Sequence, residues 1–391
     1  MRRPAALLST CLSVFTLSHA VEIVSDSSCD CFLTNGTQAT YFANHVFFDF
    51  RNLKDYASVP SVISDPEDTP NAPPTSDYFK SKAWTRTWAL QTWANSKGNG
   101  NGFSGDATVL MVNSPNNVYI EQNKDASASS ATHLTMRTAR LSNFQTAAEF
   151  QTRTSDYHYL SLRMLARTVG PPGAVSAVFT YRDAKKLADI QEADMEIVTR
   201  GPGNRVQYTN QPGYTDNGDG IKANATRNAT LPRGLEWSDW AVYRLDWTPT
   251  RSVWYVDGEE VANIAFQVPR DPAAININSW GDGGSWSGNM SVGAESNLQL
   301  QWIEMVYNTT EDNQRLRLRR RVEGRSSAPV QLLPRGDKGT LCGAVCSIDE
   351  GSQAGAVAKL WGAKSSSART AASWCSLVAV AWFCLALGVF A

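Results

Sequence analysis

The sequence predicts an all-β fold, because short strand-like segments follow one another along the chain. Tyr157 to Met164 and Ala174 to Tyr181 both suit strands, and Gly170-Pro171-Pro172-Gly173 between them makes a turn. Further on, Trp240 to Trp247 alternates in the same way, and Asp257-Gly258 is a strong hairpin signal. The 391 residues, 42% of them hydrophobic, suffice for one large sandwich, since all-β folds of about 200–250 residues occur as single domains.

The segment Ile190 to Val198 is the most informative of these strands. It places Glu192, Asp194 and Glu196 at alternate positions, and the residues between them are apolar. Because strand side chains alternate between the two faces, the carboxylates point one way and the apolar residues the other. The pattern therefore predicts a strand with one acidic face and one core face.

A row of like charges on one strand face is a poor structural choice and typically serves chemistry, most simply acid and nucleophile work on a glycosidic bond. The Cα atoms of Glu192 and Glu196 would lie about 13 Å apart, and inward-leaning side chains could bring their carboxyls to the ~5–5.5 Å of a retaining glycosidase. Asp194 can hydrogen-bond Glu192 and, through its negative charge, hold a proton on Glu196. The alternative is an edge strand with a solvated acidic face.

Several motifs occur in an order that resembles glycoside hydrolase family 16, of the concanavalin A-like lectin/glucanase superfamily. That family shares E-x-D-x-E, a following Y-x-L-x-W, a W-Y-V-D-G hairpin and a late N-x-W segment. The resemblance covers roughly Phe47 to Tyr307. The matching residues are Glu192/Asp194/Glu196, Tyr243/Leu245/Trp247, Trp254 to Gly258, and Asn278-Ser279-Trp280.

The resemblance implies a jelly-roll β-sandwich with an open concave cleft that takes a polysaccharide along its length. It also implies a retaining mechanism in which Glu192 is the nucleophile, Asp194 assists and Glu196 is the general acid/base. Ala193 departs from the usual Ile or Leu, at a position expected to face away from the cleft. Family members that act on laminarin usually carry a bulged E-x-D-x-x-E. The unbulged form here resembles mixed-linkage glucanases and plant and fungal wall transglycosylases, which argues against strict laminarinase activity.

Neither the net charge nor the histidine content favours a nucleic-acid-binding protein, a metal hydrolase or a serine hydrolase. A net charge of −1 gives no reason to invoke nucleic acid or another polyanion. Only four histidines occur, without an H-x-x-x-H pair, so a metal hydrolase or a Ser-His-Asp triad has little support. We therefore expect no metal, no cofactor and no nucleic-acid partner, and a monomer that binds a β-glucan.

Aromatic residues are the main candidates for contact with sugar rings, because flat faces stack on them. Trp280 and Trp286 lie in a Gly-rich segment where exposure is easier, and Tyr181 and Asn210 complete the set of substrate-binding candidates. Three further tryptophans lie within Tyr78 to Asn95, and we expect two of them to be packed in the core. These three are Trp84, Trp88 and Trp93.

Both ends of the sequence carry patterns of processing signals. Arg2-Arg3 and the apolar run Ala5 to Leu17, before Ala20, are typical of a secretory signal peptide. Small residues at Ser365 to Ala368, a polar spacer and the apolar tail Trp374 to Ala391 form the three parts of a GPI signal. A tail-anchored helix is the alternative, but no basic residue follows the tail. We expect a secreted protein held at the cell membrane or wall by a lipid anchor alone.

These patterns give a division of the chain into one folded domain and several extensions. The Arg-rich segment beyond the sandwich is interpreted as a solvated linker or a dibasic processing site. The predicted parts are a signal peptide (1–20), the sandwich domain (21–312), an Arg-rich linker (313–341), a Cys-containing segment with spacer (342–373) and a hydrophobic tail (374–391).

Four cysteines remain when those of the signal and the tail are set aside: Cys29, Cys31, Cys342 and Cys346. In an oxidising compartment they would pair, and links between the N-terminal pair and the C-terminal pair would staple both ends of the sandwich together. A metal site is the less favoured reading in a secreted protein. Five sequons predict a glycosylated surface, at Asn35, Asn224, Asn228, Asn289 and Asn308.

Two functions from different classes fit these observations. The first is a secreted, wall-tethered glycosidase that hydrolyses β-glucan by double displacement, with transfer of glucan or chitin chains as a variant of the same chemistry. The second is a sandwich of the same shape that only binds polysaccharide, as the related lectins do. A binding module has no use for the cost of burying Glu192 and Glu196 together, so the enzyme is the preferred hypothesis.

Overall fold

A computed structural model describes residues 21–96, 102–213, 220–313 and 342–362. The predicted signal peptide, nearly all of the Arg-rich linker and the hydrophobic tail lie outside these ranges. Within the described ranges, no helix is long and apolar enough to cross a membrane.

Strands dominate the described part of the chain. In chain order they are β1 (Glu22–Val24), β2 (Cys31–Leu33), β3 (Tyr41–Phe42), β4 (Asn44–Asp49), β5 (Trp88–Leu90), β6 (Leu110–Asn113), β7 (Val118–Gln122), β8 (Thr132–Ala139), β9 (Phe144–Thr152), β10 (Tyr157–Val169), β11 (Val175–Arg182), β12 (Gln191–Val198), β13 (Arg205–Gln211), β14 (Thr226–Thr230), β15 (Ala241–Trp247), β16 (Ser252–Val256), β17 (Glu259–Ile264), β18 (Ala274–Trp280), β19 (Glu295–Thr309), β20 (Val345–Ser347) and β21 (Val357–Trp361).

The helices are short and lie in the connections between strands. Two single-turn α-helices are α1 (Lys82–Thr85) and α2 (Lys222–Ala225). The 3₁₀ turns are Asp26–Ser28, Lys54–Tyr56, Pro66–Asn71, Asp77–Lys80, Pro115–Asn117, Leu187–Asp189 and Pro232–Gly234.

Two large sheets form the sandwich. The cleft sheet has the order β14-β13-β12-β11-β18-β9-β5, and β6 joins β9 in parallel. The back sheet has the order β17-β16-β15-β10-β19-β8-β7, and β4 joins β19. All neighbours along these two orders are antiparallel. The all-β, jelly-roll sandwich prediction is confirmed.

The core lies between the inner faces of these sheets. The cleft sheet contributes Met195 and Ile197, and the back sheet contributes the fully buried Trp247 and Trp254. Burying such large apolar side chains contributes about 1.5–3 kcal/mol each, which fixes the faces of the strands that carry them. Ala193 belongs to the same core, so its small side chain faces away from the cleft as predicted.

A third, five-stranded sheet joins the two ends of the described chain, and we call it the terminal sheet. Its order is β1-β21-β20-β2-β3, so strands near residue 30 pair with strands near residue 350. Disulfides Cys29–Cys346 and Cys31–Cys342 confirm the predicted links between the N-terminal and C-terminal cysteine pairs. Residues 342–362 are therefore an integral part of this fold.

The terminal sheet covers the outer face of the back sheet. Phe32, Phe42 and Ile348 from the terminal sheet and its loops pack against Val306 of β19. Since Ile303 and Met305 of β19 face the core, Val306 lies on the opposite, outer face. The terminal sheet thus lies on the side of the sandwich away from the cleft sheet.

Candidate active site

The three predicted carboxylates lie on β12, in the interior of the cleft sheet. The strand pairs with β11 on one side and β13 on the other, so the alternative of an edge strand is wrong. Its register with β11 is unbroken and places Glu192 opposite Tyr181 and Glu196 opposite Ala177. The unbulged E-x-D-x-E spacing is therefore confirmed as regular strand, with all three carboxylates on one face.

The acidic face of β12 forms part of the floor of a long groove with a volume of about 940 Å³. Glu192, Asp194 and Glu196 line this cleft together with the rings of Tyr181, Trp280 and Trp286. A groove of this size can hold a ligand with several ring-sized units. The strand alternation that buries Met195 in the core thus points its acidic neighbours toward the cleft.

The three carboxylates share their protons unequally. Burial, followed by the nearby charge of Glu196, raises the pKa of Glu192, while a hydrogen bond from Asp194 lowers it. Burial and the charges of both glutamates raise the pKa of Asp194 well above its usual range. Asp194 therefore holds a proton and donates it in a hydrogen bond to Glu192, whose own pKa these effects together raise to about 8. The expected hydrogen bond between Asp194 and Glu192 is present.

Glu196 is held by two neutral donors. The indole Nε1 of Trp286 donates to Glu196 Oε1 at 3.0 Å, and the amide of Gln207 on β13 lies 3.5 Å from Oε2. Burial raises the pKa of Glu196, whereas these two hydrogen bonds lower it. Glu192 and Glu196 thus have different surroundings on the same strand, as expected of a nucleophile and an acid.

The predicted substrate-binding residues divide into two groups. Tyr181, Trp280 and Trp286 line the cleft as expected, and burial raises the pKa of Tyr181 to about 12, so its phenol stays a neutral hydrogen-bond donor. Asn210 instead lies opposite Ala193 in the β12–β13 register and is fully buried. Its amide donates to the backbone carbonyl of Phe266, which makes Asn210 a structural residue outside the cleft.

Glu149 on β9 is a fourth cleft carboxylate that the sequence interpretation missed. It lies opposite Asn278, which lies opposite Ala177, so Glu149 is three strands, about 14 Å, across the cleft sheet from Glu196. Its oxygens accept hydrogen bonds from Trp93 Nε1 at 3.1 Å and from the Asn278 amide at 3.4 Å. Burial raises its pKa. A lone Glu in the apolar segment around it gave no periodic signal.

Trp93 is the exposed member of the early tryptophan trio. Trp84 is 1% and Trp88 0% exposed, which confirms that two of the three are packed, while Trp93 is 46% exposed beside Glu149. An indole with one open face and its N–H on a carboxylate can stack on a sugar ring at this distant part of the groove. The cleft thus has aromatic platforms on both sides of its floor.

Four of the five sequon asparagines are exposed: Asn35, Asn224, Asn228 and Asn289. Asn308 is 4% exposed; its oxygen accepts from the backbone N–H of Ala43 and its amide donates to Tyr41 O. A glycan cannot be accommodated there without unfolding the site, so the prediction of glycosylation at Asn308 is wrong. In the described ranges, no group of three or more His, Cys, Asp or Glu side chains is arranged to hold a metal ion.

Fold and site together define a class of protein: a jelly-roll sandwich with paired carboxylates in an open groove, the arrangement used for glycoside chemistry. Residues 110–304 match the family described as glycosyl hydrolases family 16. The chain therefore contains a glycosyl hydrolase family 16 domain, as the motif order suggested.

Individual relatives are distant. The chain is 30% identical over 133 residues to a xylanase/beta-glucanase of Ruminococcus flavefaciens (34% of this chain, 15% of that protein). It is 27% identical over 134 residues to a beta-glucanase of Bacillus licheniformis (34% and 51%). The chain thus spans about half or less of the length of these relatives. A solved beta-1,3-1,4-glucanase (lichenase) from a mouse hindgut metagenome has 20% identity, covers 68% of this chain and 99% of its own, and has a TM-score of 0.44.

Proposed function

We propose that the protein is a glycosidase that cleaves β-glucan chains by a retaining double displacement. The observation that carries this proposal is the row of Glu192, Asp194 and Glu196 on one regular interior strand, facing an open groove. Within the described residues these three carboxylates have no cationic partner, so no ion pair offsets the cost of their burial. Functional sites are where such costs are retained.

In the first step, ionised Glu192 attacks the anomeric carbon of the bound sugar while Glu196 gives its proton to the departing glycosidic oxygen. The C–O bond breaks as the ester bond to Glu192 forms, and the chain beyond the break leaves as an alcohol. The proton on Asp194 stabilises the carboxylate of Glu192 before attack and keeps it aligned. Trp280 and Tyr181 supply ring faces and a neutral donor along the groove.

In the second step, Glu196 is a carboxylate and takes a proton from water, whose oxygen displaces Glu192 at the same carbon. Two inversions preserve the β-configuration. Glu192 is thereby released as a carboxylate and Glu196 regains its proton, so the site returns to its starting state.

The substrate class is proposed from two supports. The strand has the unbulged spacing, which resembles mixed-linkage glucanases and wall transglycosylases, and the relatives above are named as beta-glucanases. We therefore expect mixed-linkage glucan to be cleaved faster than laminarin.

The test is product analysis on a panel of β-1,3-, β-1,4- and mixed-linkage glucans. NMR of the first-formed product before mutarotation should show the β-anomer. A first product in the α-configuration would refute the double displacement. Binding to these glucans without cleavage of any of them would favour the lectin-like alternative.

Transfer to a second glycan is the variant of this chemistry that the open groove favours. If a sugar hydroxyl replaces water in the second step, the product is longer than the donor. Products longer than the donor, formed with excess glucan or chitin oligomers as acceptors, would establish transglycosylation. Shortened products at every acceptor concentration would leave hydrolysis as the activity.

The cellular setting is proposed to be the outer surface of the cell, with a GPI anchor as the membrane attachment and a monomeric enzyme. Two disulfides suit an oxidising compartment, and the sequence patterns at both ends fit secretion and a lipid anchor. Treatment of cells with phosphatidylinositol-specific phospholipase C should release the protein. A peptide from Trp374 to Ala391 in the mature protein would contradict the anchor.

A further inference from the structure

We propose that Trp286 is a positioning residue that holds the acid/base carboxyl of Glu196 in place through its indole N–H, in addition to offering a ring face to the cleft. This inference rests on the proposed function. It is carried by the hydrogen bond from Trp286 Nε1 to Glu196 Oε1 at 3.0 Å and by the way the surrounding loop is fixed.

The hydrogen bond fixes one oxygen of the carboxyl. With Oε1 accepting from an indole, Oε2 is the oxygen that carries the proton to be transferred. The longer contact at Oε2, 3.5 Å from the amide of Gln207, leaves that oxygen less constrained. A fixed Oε1 and a freer Oε2 orient the acid toward the groove.

The loop that carries Trp286, residues 281–288, is held internally. Ser287 Oγ donates to Asp282 Oδ1 at 2.8 Å, and the backbone N–H of Gly284 donates to the same oxygen at 2.9 Å. The backbone N–H of Gly288 bonds Gly284 O at 2.9 Å and closes the turn. These bonds define the path of the backbone on both sides of Trp286.

A neighbouring segment fixes the loop from outside. The backbone N–H of Ser285 donates to Asp106 Oδ2 at 3.0 Å, and Thr108 Oγ1 donates to Gly283 O at 3.0 Å. The loop is thus tied to the segment that leads into β6. A ring that only stacks on sugar would not need its backbone held so closely.

Arg200 links the loop back to the catalytic strand. It lies two residues after β12 ends at Val198, and its Nε donates to the carbonyl of Trp286 at 2.7 Å. Gly288 has φ +77°, and a Cβ there would lie 2.9 Å from Arg200 Cδ, so glycine leaves room for the arginine side chain. Strand β12 therefore carries Glu196 and, through Arg200, also the loop whose indole holds Glu196.

The charge surroundings of Glu196 give this contact a measurable consequence. The titratable groups that share its cleft are Glu192 and Asp194 on its own strand, Tyr181 on β11, Glu149 on β9, and Asp106 and Asp282 on the loops. Neighbouring β13 presents three uncharged side chains to the cleft, those of Gln207, Thr209 and Gln211. An N–H donor favours the ionised carboxylate, so its removal raises the pKa of Glu196. Glu196 then stays protonated, and active as an acid, to higher pH.

The experiment compares Trp286→Phe with Trp237→Phe. The first variant keeps an aromatic face and loses the N–H to Glu196. The second loses an indole N–H that bonds Pro202 O at 3.2 Å, outside the cleft. The pH profile of kcat/KM on mixed-linkage glucan should show its basic limb moved up by about one pH unit in Trp286→Phe only. If the wild-type protein is active and the basic limb of Trp286→Phe is not shifted from that of the wild type, the inference is overturned.

A second test uses Arg200 and measures the dependence of the rate on the leaving group, which would not change if Trp286 only stacked on a sugar ring. Arg200→Ala should slow glucosides with poor leaving groups more than activated aryl glucosides, because the latter need little protonation. Arg200→Lys, which keeps a donor near Trp286 O, should recover part of the loss. Equal slowing of both substrate types would contradict a positioning role.

Failure of this inference is distinguishable from failure of the proposed function. If wild-type protein cleaves no β-glucan, the proposed function fails before any variant is compared. If it cleaves and the variants behave like Trp237→Phe, only the role of Trp286 is wrong. Near-ultraviolet circular dichroism and the thermal unfolding midpoint, measured on each variant, identify any that fails to fold.

Discussion

The sandwich buries acidic groups on both of its sheets, in two opposite ways. On the outer face of the back sheet, Glu304 contacts Arg163 at 2.7 Å and His45 at 3.0 Å. Asp349 and Asp246 both contact Arg244, at 2.9 and 2.7 Å. We call this set of six side chains the back cluster. On the cleft sheet, the three carboxylates of β12 have only each other and neutral donors as partners in the described chain.

The difference separates structural charge from functional charge. Within the back cluster, Asp349 ties the C-terminal segment to two neighbouring strands of the back sheet, because it contacts Arg163 of β10 and Arg244 of β15. Each of the cluster's buried carboxylates has a cation within contact distance, which offsets part of the desolvation cost. The cleft row lacks that compensation and lowers the stability of the fold. The predictions below test this contrast, from the largest expected effect to the smallest.

Replacing Glu192 by Gln removes the nucleophile. Turnover of β-glucan should fall by more than about 10³-fold, because no covalent intermediate can form. Polysaccharide binding should persist, and the unfolding midpoint should not drop, since the substitution removes a buried carboxyl group that has no cationic partner. Initial rates, affinity electrophoresis on glucan and thermal unfolding measure the three quantities. Wild-type turnover in Glu192→Gln would refute the assignment of this site.

Replacing Glu304 by Gln breaks the back cluster. The change leaves Arg163 and His45 without their shared carboxylate, which should cost about 3–5 kcal/mol of unfolding free energy. Activity per folded molecule should be unchanged, because the residue lies on the far sheet. Chemical denaturation measures the loss, with Glu236→Gln at an exposed position as the matched control. Equal stability of the two variants would show that the back cluster contributes nothing.

Replacing Asp194 by Asn should stabilise the protein at neutral pH by about 1–2 kcal/mol and reduce turnover less than Glu192→Gln does. The raised pKa means that folded Asp194 binds a proton that the unfolded chain has released above about pH 4. Stability therefore falls as pH rises through that window, and the Asn variant should lose part of this dependence. Unfolding free energies measured from pH 4 to pH 8 test this prediction. A steeper fall of stability with pH in the Asn variant than in the wild type would contradict it.

Replacing His45 by Asn should have the smallest effect, about 1 kcal/mol below pH 6. Burial lowers the pKa of His45, but hydrogen bonds and charges of Glu304 and Asp26 outweigh it and raise the pKa overall. A raised histidine pKa stabilises the fold below the unfolded value, about 6.5, and this contribution is lost as pH rises through the folded pKa. The difference between wild type and variant should shrink as pH rises. A constant difference from pH 5 to pH 9 would exclude the ionised pair.

The catalytic strand was predictable from sequence because its signal is local. Alternation at Glu192, Asp194 and Glu196 needs only the period of a strand, and the structure has that strand over Gln191–Val198. Asn210 was misplaced because its face depends on the register between β12 and β13, which a single sequence does not specify. Glu149 could not be assigned to the site from the sequence, because it lies in the cleft only as a result of the order of strands in the sheet.

The pairing of the chain ends could be predicted only in part. Four cysteines indicated that the ends are stapled, but not that strands near Cys31 and Cys346 form one sheet, because their separation in sequence exceeds any local pattern. The back cluster was likewise beyond sequence reasoning. Arg163, Arg244 and Asp349 come together only after three distant segments have folded.

The terminal sheet places both ends of the described chain on the face of the sandwich opposite the groove. Both the strand that begins the described chain, β1, and the strand that ends its last segment, β21, lie side by side on the face opposite the groove. A group attached to either end of the described chain would therefore lie next to the back sheet, and the groove would face away from the point of attachment. Attachment at either end of the described chain would therefore leave the groove accessible to a large ligand.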